Sequence, residues 1–452
     1  MEDVLKYIDD HADDAVQKLI ELCRFETVSA QARAIDETAE WVVAELRSLG
    51  FETRIIPKPE GAPAQPVVYA EAAGKSPRTL LFYDHYDVQP EEPLDLWKTP
   101  PFDPVIKDGK LYARGAFDNK GNIAARFQAI RAWRETRGEL PCGVKFCIEG
   151  DEEIGSPHME AFIERHKDLL AADACIWEGG GVTWEGLPMI TLGVKGLLYV
   201  ELECESISHD AHSSYGTVLP NAAWRLAWAL STIKGPDERI MIDGFYDDVR
   251  PPTVDERAAV EKLPHEHAET LKAYGVEQST TGLTGLDYNI RHLFEPTATI
   301  DGLSSGYQGE GPKTVLPARA MAKVDFRLVN DQDPADIERK LRAHLDRHGF
   351  SDVRVVHLGG EHPARTPVSD PLVRTMLDAL RPIYGDEPVI VPTMAGTGPL
   401  YPFVTTLGLP TADCGIGYPD AAIHAPNENI RLEDFHKGTK AVASLLARFG
   451  EE

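Results

Sequence analysis

Four short runs constrain the fold of this chain more than anything else in it. Residues 67–70 (VVYA), 79–83 (TLLFY), 144–148 (VKFCI) and 174–177 (ACIW) are apolar almost throughout. A strand with one wet face alternates apolar and polar residues; a run without alternation is covered on both faces. Helical spacing surrounds these runs. It covers residues 3–24 (Val4, Leu5, Ile8) and 36–49 (Ala39, Val42, Val43, Leu46), with Gly50 placed to end the second helix. A further helix, 121–137, falls between the second and third runs. Strands alternating with helices predict an α/β layer around a mainly parallel sheet.

The character changes near Gly193–Gly196. From there the pattern reads strand (197–205), helix (221–233), strand (298–303), strand (319–329), helix (334–348), strand (353–358). That is the β-α-β-β-α-β order of a ferredoxin-like α+β domain, with an insert rich in Pro, Asp, Glu and His at about 235–295. After Gly359–Gly360 the α/β style returns: helix (371–384), strand (389–391), a Gly-rich loop, strand (411–413) and helix (432–449). We therefore expect an α/β catalytic domain in two parts, 1–195 and 360–452, interrupted by a lid at 196–359. A length of 452 residues suits this division.

Composition excludes several classes of partner. The formal net charge is −27, which disfavours nucleic acid and anionic membranes, since both select basic surfaces. No apolar run reaches the roughly 18–20 residues of a membrane span. The acidic start MEDVLKYIDD does not read as a signal peptide. The six cysteines show no C-x-x-C spacing, so reduced, buried thiols in a cytoplasmic protein are expected.

The chemistry gathers at strand ends. His85 and Asp87 follow one strand, Glu152 and Glu153 another, and Glu178 a third, while Asp118 sits in a turn before a helix. Ligands of open α/β sheets bind outside the carboxyl ends of the strands. Carboxylates delivered there from separate loops would repel one another, and divalent metal is the natural compensation. Imidazole with carboxylate suits zinc and, with more oxygen donors, manganese or cobalt. Two other patterns lead nowhere. Gly302–Gly306 fits G-x-S-x-G, but YQGEGP follows where a nucleophile elbow needs a helix. Gly179–Gly181 lacks the G-x-G-x-x-G of a dinucleotide site.

Taken together, HYD (85–87), ARGAFDNKG (113–121), GDEEIGS (150–156), WEGG (177–180) and HAPNE (424–428) resemble the M20 family of metallopeptidases and amidohydrolases. The lid, about 165 residues long, is similar to that of the carnosinase and cytosolic dipeptidase branch. The resemblance implies two divalent metals. His85, Asp118 and Glu178 would hold one, and Asp118, Glu153 and His424 the other, with Asp118 as the bridge. Glu152 would be the general base and Asp87 would orient the ring of His85. A cis peptide is implied at Asp118–Asn119.

The lid carries further matches. HDAHSSYGT (209–217) resembles a D-x-H-S-G motif, with His212 as its histidine and Ser214 where the family has Gly. GEGPKTVLP (309–317), VDFRLV (324–329) and AGTGP (395–399) resemble segments that contact substrate, which assigns Thr314, Arg327 and Thr397 to a free carboxylate. The resemblance also implies a homodimer joined through the lids, with His212 acting on the partner's substrate. The expected reaction is hydrolysis of an amide bond in dipeptides or short peptides with a free C-terminus. An N-acyl-amino-acid deacylase with the same metals is the alternative. A catalytically silent homologue would require a missing ligand or base, and every such position is filled.

Overall fold

The computed structural model describes residues 1–57 and 65–451. A six-stranded sheet forms the centre, in the order Glu52–Ile56, Val67–Ala72, Leu140–Glu149, Gly74–His85, Ala174–Trp177, Thr411–Asp413. The last four are mutually parallel and the first two are antiparallel additions at one edge. The sheet is therefore mixed. Its edge strand Glu52–Ile56 escapes sequence reading because two of the five residues of ETRII are charged and the strand is mostly exposed.

Strand periodicity explains why the inner runs are apolar throughout. Leu80 and Phe82 pack on one face with Val144, Phe146 and Ile176. Their neighbours Leu81 and Tyr83 pack on the other face with Cys147, Cys175 and Trp177. Burying a side chain of this size stabilises the fold by about 1.5–3 kcal/mol, so both faces commit the sheet to one register. Helices Lys120–Arg137, Pro371–Tyr384 and Leu432–Glu451 contribute to the first layer. Arg126, from the first of these, donates to the carbonyls of Tyr83 (2.8 Å) and Trp177 (2.7 Å). It also pairs with Asp84 at 2.7 Å. One buried guanidinium thus fastens the carboxyl ends of two adjacent strands.

The region read as one helix, 3–24, is two: Glu2–Asp10 and Ala12–Cys23. His11 leaves helical geometry between them (φ −118°, ψ 25°). Its ring stacks on Tyr7, and its Nδ1 lies 2.8 Å from Asp14.

A second sheet is antiparallel throughout, in the order Thr297–Ser305, Arg319–Leu328, Gly196–Glu205, Arg354–Glu361. Burial along Gly196–Glu205 and Arg319–Leu328 alternates almost perfectly. One face packs on helices Ala222–Ile233 and Pro334–Arg347 around Leu198, Val200, Val324 and Phe326. This is the ferredoxin-like arrangement. Ser304 and Ser305 lie within its edge strand, so no nucleophile elbow forms. The insert folds as three helices, Val254–Val260, His267–Ala273 and Gly285–Phe294, with a small core of Val260, Leu293 and Phe294. Thr253 and Glu256 close a capping box on the first.

Candidate metal centre

Parallel strands end on the same side, so topology alone brings His85, the 150–156 turn and Glu178 to one edge. The remaining loops arrive through a small antiparallel sheet. Asn429–Arg431 pairs with Lys110–Tyr112, which lays the loop of His424 beside the loop of Asp118. Glu428 is fully buried and locks that arrangement. Its carboxylate accepts from Arg114 (2.8 Å) and from the amides of Gly115 (2.9 Å), Phe117 (3.1 Å) and Asp118 (3.1 Å). The Asp118–Asn119 peptide is cis.

Within this frame the six residues proposed as ligands and base converge. His85 Nε2 lies 3.0 Å from Asp118 Oδ1 and 3.1 Å from Glu178 Oε2. His424 Nε2 lies 3.0 Å from Asp118 Oδ2 and 3.1 Å from Glu153 Oε2. Each oxygen of Asp118 therefore faces a different imidazole, and two trios share one aspartate. Glu152 stands just outside, with Oε2 3.9 Å from His85 Nε2. Asp87 binds both sides of the cleft. Its carbonyl and Oδ1 lie 3.1 and 3.3 Å from His85 Nδ1. Its carboxylate accepts the amides of Glu152 (3.3 Å) and Glu153 (3.1 Å). Because both Asp87 groups only accept, the Nδ1 proton stays with them and Nε2 is turned into the cleft.

The electrostatics ask for cations. Burial, reinforced by Glu178, pushes the Glu152 carboxyl well above the usual range. Burial likewise lifts Glu178 to about 8 and raises Glu153. Burial would raise Asp118 too, but hydrogen bonds from His424 and His85 hold it well below its ordinary value. Asp118 and Glu153 in turn lift His424 to about 10. Protons are thus drawn into the cluster to balance packed carboxylates. Glu178 Oε2 is buried without a hydrogen-bond partner. Nitrogen and carboxylate donors with an unsatisfied oxygen among them fit divalent metal, which supplies the same charge without occupying the donor atoms.

The substrate-side residues divide into two pairs. Arg327 NH1 donates to Thr397 Oγ1 (2.7 Å), and its Nε pairs with Asp325 (3.0 Å). Thr397 Oγ1 also donates to the carbonyl of Gly196 (3.3 Å). The adjacent Gly398 lies against Trp177 so closely that a Cβ there would stand 2.7 Å from the indole ring. That lets the loop approach Glu152. His212 Nε2 lies 3.3 Å from Thr314 Oγ1, and Ser214 Oγ stands 2.8 Å from its Nδ1. Both members of this second pair are exposed. Among the described residues they make no hydrogen bond or ion pair with the imidazole–carboxylate cluster or with Arg327.

Three supporting residues escape sequence reading. Glu428 and Arg114 lie inside recognised motifs but look like loop charges. Gln89, whose Nε2 donates to Glu153 Oε2 (2.9 Å) and whose amide donates to Oε1 (3.2 Å), carries no sequence signal at all.

Paired imidazole–carboxylate trios joined by one aspartate, at the carboxyl edge of an α/β sheet, define a metal-dependent hydrolase. The chain belongs to peptidase family M20/M25/M40, whose pattern it matches over residues 81–448. It is 39 % identical to the M20 family metallo-carboxypeptidase Sso-CP2 from Sulfolobus solfataricus. That structure superposes with a TM-score of 0.91, covering 97 % of this chain and 99 % of the other. It is 29 % identical to the Beta-Ala-His dipeptidase of Homo sapiens, over 100 % of this chain and 93 % of that one. It is 27 % identical to the Cys-Gly metallodipeptidase dug1 of Schizosaccharomyces pombe, over 99 % and 98 %.

Proposed function

We propose that this chain is a dinuclear, zinc-type metallodipeptidase that hydrolyses dipeptides or short peptides with a free C-terminal carboxylate. The observation that carries this reading is Asp118, whose two oxygens each lie 3.0 Å from a different imidazole. His85, Asp118 and Glu178 would hold one ion, and Asp118, Glu153 and His424 the other. Zinc suits the imidazole–carboxylate set; manganese and cobalt are the other ions that fit. Bound there, the ions would lower the pKa of water and polarise the scissile carbonyl.

The chain's own residues do the rest. Glu152 takes the proton of the attacking water and passes it to the leaving amine as the C–N bond breaks. Asp87 keeps the His85 ring and the Glu152–Glu153 turn in mutual register. Arg327 and Thr397 grip the substrate carboxylate, a role that a fork of N–H donors suits, with Thr314 assisting. His212 stabilises the tetrahedral oxyanion from the partner subunit of a homodimer. A partnered lid (residues 196–359) is supported by the exposed stack of Trp224 and Trp228 on helix Ala222–Ile233, 61 and 55 % exposed. Val218 is exposed as well, on the same stretch of lid as His212. The relatives named as dipeptidases support a small peptide substrate, and free, buried cysteines support the cytoplasm as its setting.

The test is a substrate panel after metal removal and reloading with zinc, manganese or cobalt. Dipeptides should turn over, and N-acetyl and N-succinyl amino acids should not. Preferential cleavage of the acyl-amino acids would replace this reading by the deacylase.

A further inference from the structure

Beside the carboxylate grip lies a cavity of about 550 Å³. One wall is the beginning of the lid strand Thr297–Ser305, and the opposite wall is the insert. Arg327 and Ala395 are shared between this cavity and the grip, since Ala395 belongs to the loop that carries Thr397. Its apolar surface comes from Leu271, Tyr274, Val276, Tyr288 and Pro296. Tyr274 is 81 % and Val276 47 % exposed, on a segment that gains nothing for the core by displaying them.

The charges around the cavity are already engaged. Lys234 pairs with Glu238 at 2.5 Å and Arg291 with Glu295 at 2.6 Å. Lys195, 2 % exposed, gives two hydrogen bonds to the carbonyls of His292 (2.7 Å) and Glu295 (2.6 Å). Those carbonyls lie at the C-terminal end of helix Gly285–Phe294, where a cation is favoured. The lysine thereby ties the insert to the start of the lid and fixes the cavity wall beside Arg327. The rest of the lining is mostly apolar, interrupted by the polar side chains of Gln278, Thr280, Thr281 and His292.

We infer that this cavity receives the side chain of the residue bearing the substrate's free carboxylate, and that it selects a large apolar or aromatic one. The inference rests on reading Arg327 and Thr397 as the carboxylate grip. With its carboxylate held there, the C-terminal residue has the cavity beside it. A volume in the range of small-molecule sites admits even an indole ring. Selection therefore acts against small side chains, which leave apolar wall facing water, and not against large ones.

The experiment uses dipeptides Ala-X with X as Gly, Ala, Leu, Phe, Trp or Glu, assayed on the metal-loaded enzyme. Calorimetry of free L-phenylalanine, L-alanine and L-glutamate provides a readout independent of turnover. Phe, Leu and Trp should exceed Ala in kcat/KM by at least about tenfold, and L-phenylalanine should bind more tightly than L-alanine. Exposed positions make Tyr274→Ser with Val276→Ser a variant that keeps its fold. It should lower Ala-Phe turnover about tenfold more than Ala-Gly turnover. Leu271→Trp, which fills the cavity, should penalise Ala-Trp most. Equal turnover of Ala-Ala and Ala-Phe, or a preference for Glu over Leu, would overturn the inference while leaving the dipeptidase standing. Ordered binding of the free amino acids with no cleavage of any dipeptide would do the reverse.

Discussion

The metal cleft and the lid face are built to opposite rules. In the cleft, His85 and Asp87 are fully buried and several of the donors are held by a second group. Asp87 holds His85, Gln89 holds Glu153, and Glu428 holds the loop of Asp118. On the lid, His212 and Thr314 are exposed and touch mainly each other. Arg327 and Thr397 occupy the ground between, one from each sheet region. The difference teaches how this chain divides its work. The groups that need fixed geometry are preorganised by their neighbours in the cleft. The groups proposed to meet the substrate are left for closure, or for the partner of the proposed dimer, to complete.

If that division is right, the largest effects belong to the cleft, and two substitutions there should part company. Glu152→Gln keeps the shape and replaces no member of either trio, so metal content should stay near wild type. The rate should fall by at least the roughly 10²–10⁴-fold of general acid–base catalysis. Asp118→Ala removes the shared carboxylate, and metal content itself should drop. Elemental analysis decides between them. Loss of metal from Glu152→Gln would make that residue a ligand and merge the two roles.

The next effect probes the lid. His212→Ala should cost about 10²–10³-fold if the ring stabilises an oxyanion. Mixed with Glu152→Gln subunits, it should recover activity, because a mixed dimer holds one doubly defective site and one intact site. Random exchange makes half the dimers mixed, so about a quarter of wild-type activity should return from a closed two-fold assembly. Demonstrated exchange without recovery would place His212 in its own subunit's chemistry and erase the contrast between cleft and lid.

How much of this was legible beforehand follows the same divide. His85, Glu153 and Glu178 sit just beyond apolar runs that cannot be anything but buried strands, so their convergence is written in the pattern. The ferredoxin-like order of the lid was legible because its two central strands alternate strictly. The break at His11 was not, since apolar spacing runs on across it. Nor was Glu52–Ile56, because an edge strand need not look apolar. Glu428 and Gln89 were illegible for a deeper reason. Their roles depend on which loops meet, and pairing of Asn429–Arg431 with Lys110–Tyr112 joins segments over 300 residues apart.

The smallest effect tests the ground between the two regions. Arg327 donates to Thr397 and to Asp325, so its guanidinium is oriented before any substrate arrives. A substrate carboxylate gripped by Arg327 and Thr397 would engage both sheet regions at once and couple recognition to closure. Amidating the C-terminus of a good dipeptide removes that charge. A hydrogen bond to a charged group contributes about 1.5–3 kcal/mol, so kcat/KM for the amide should fall about 10–150-fold. Arg327→Met should impose a similar loss on the free acid and little further loss on the amide. That non-additivity is the decisive reading, because only a residue acting on the carboxylate itself produces it. Additive losses would give Arg327 a structural role through Asp325. Equal cleavage of acid and amide by the wild-type enzyme would remove the carboxylate grip altogether and leave a general dinuclear amidohydrolase whose lid recognises something else.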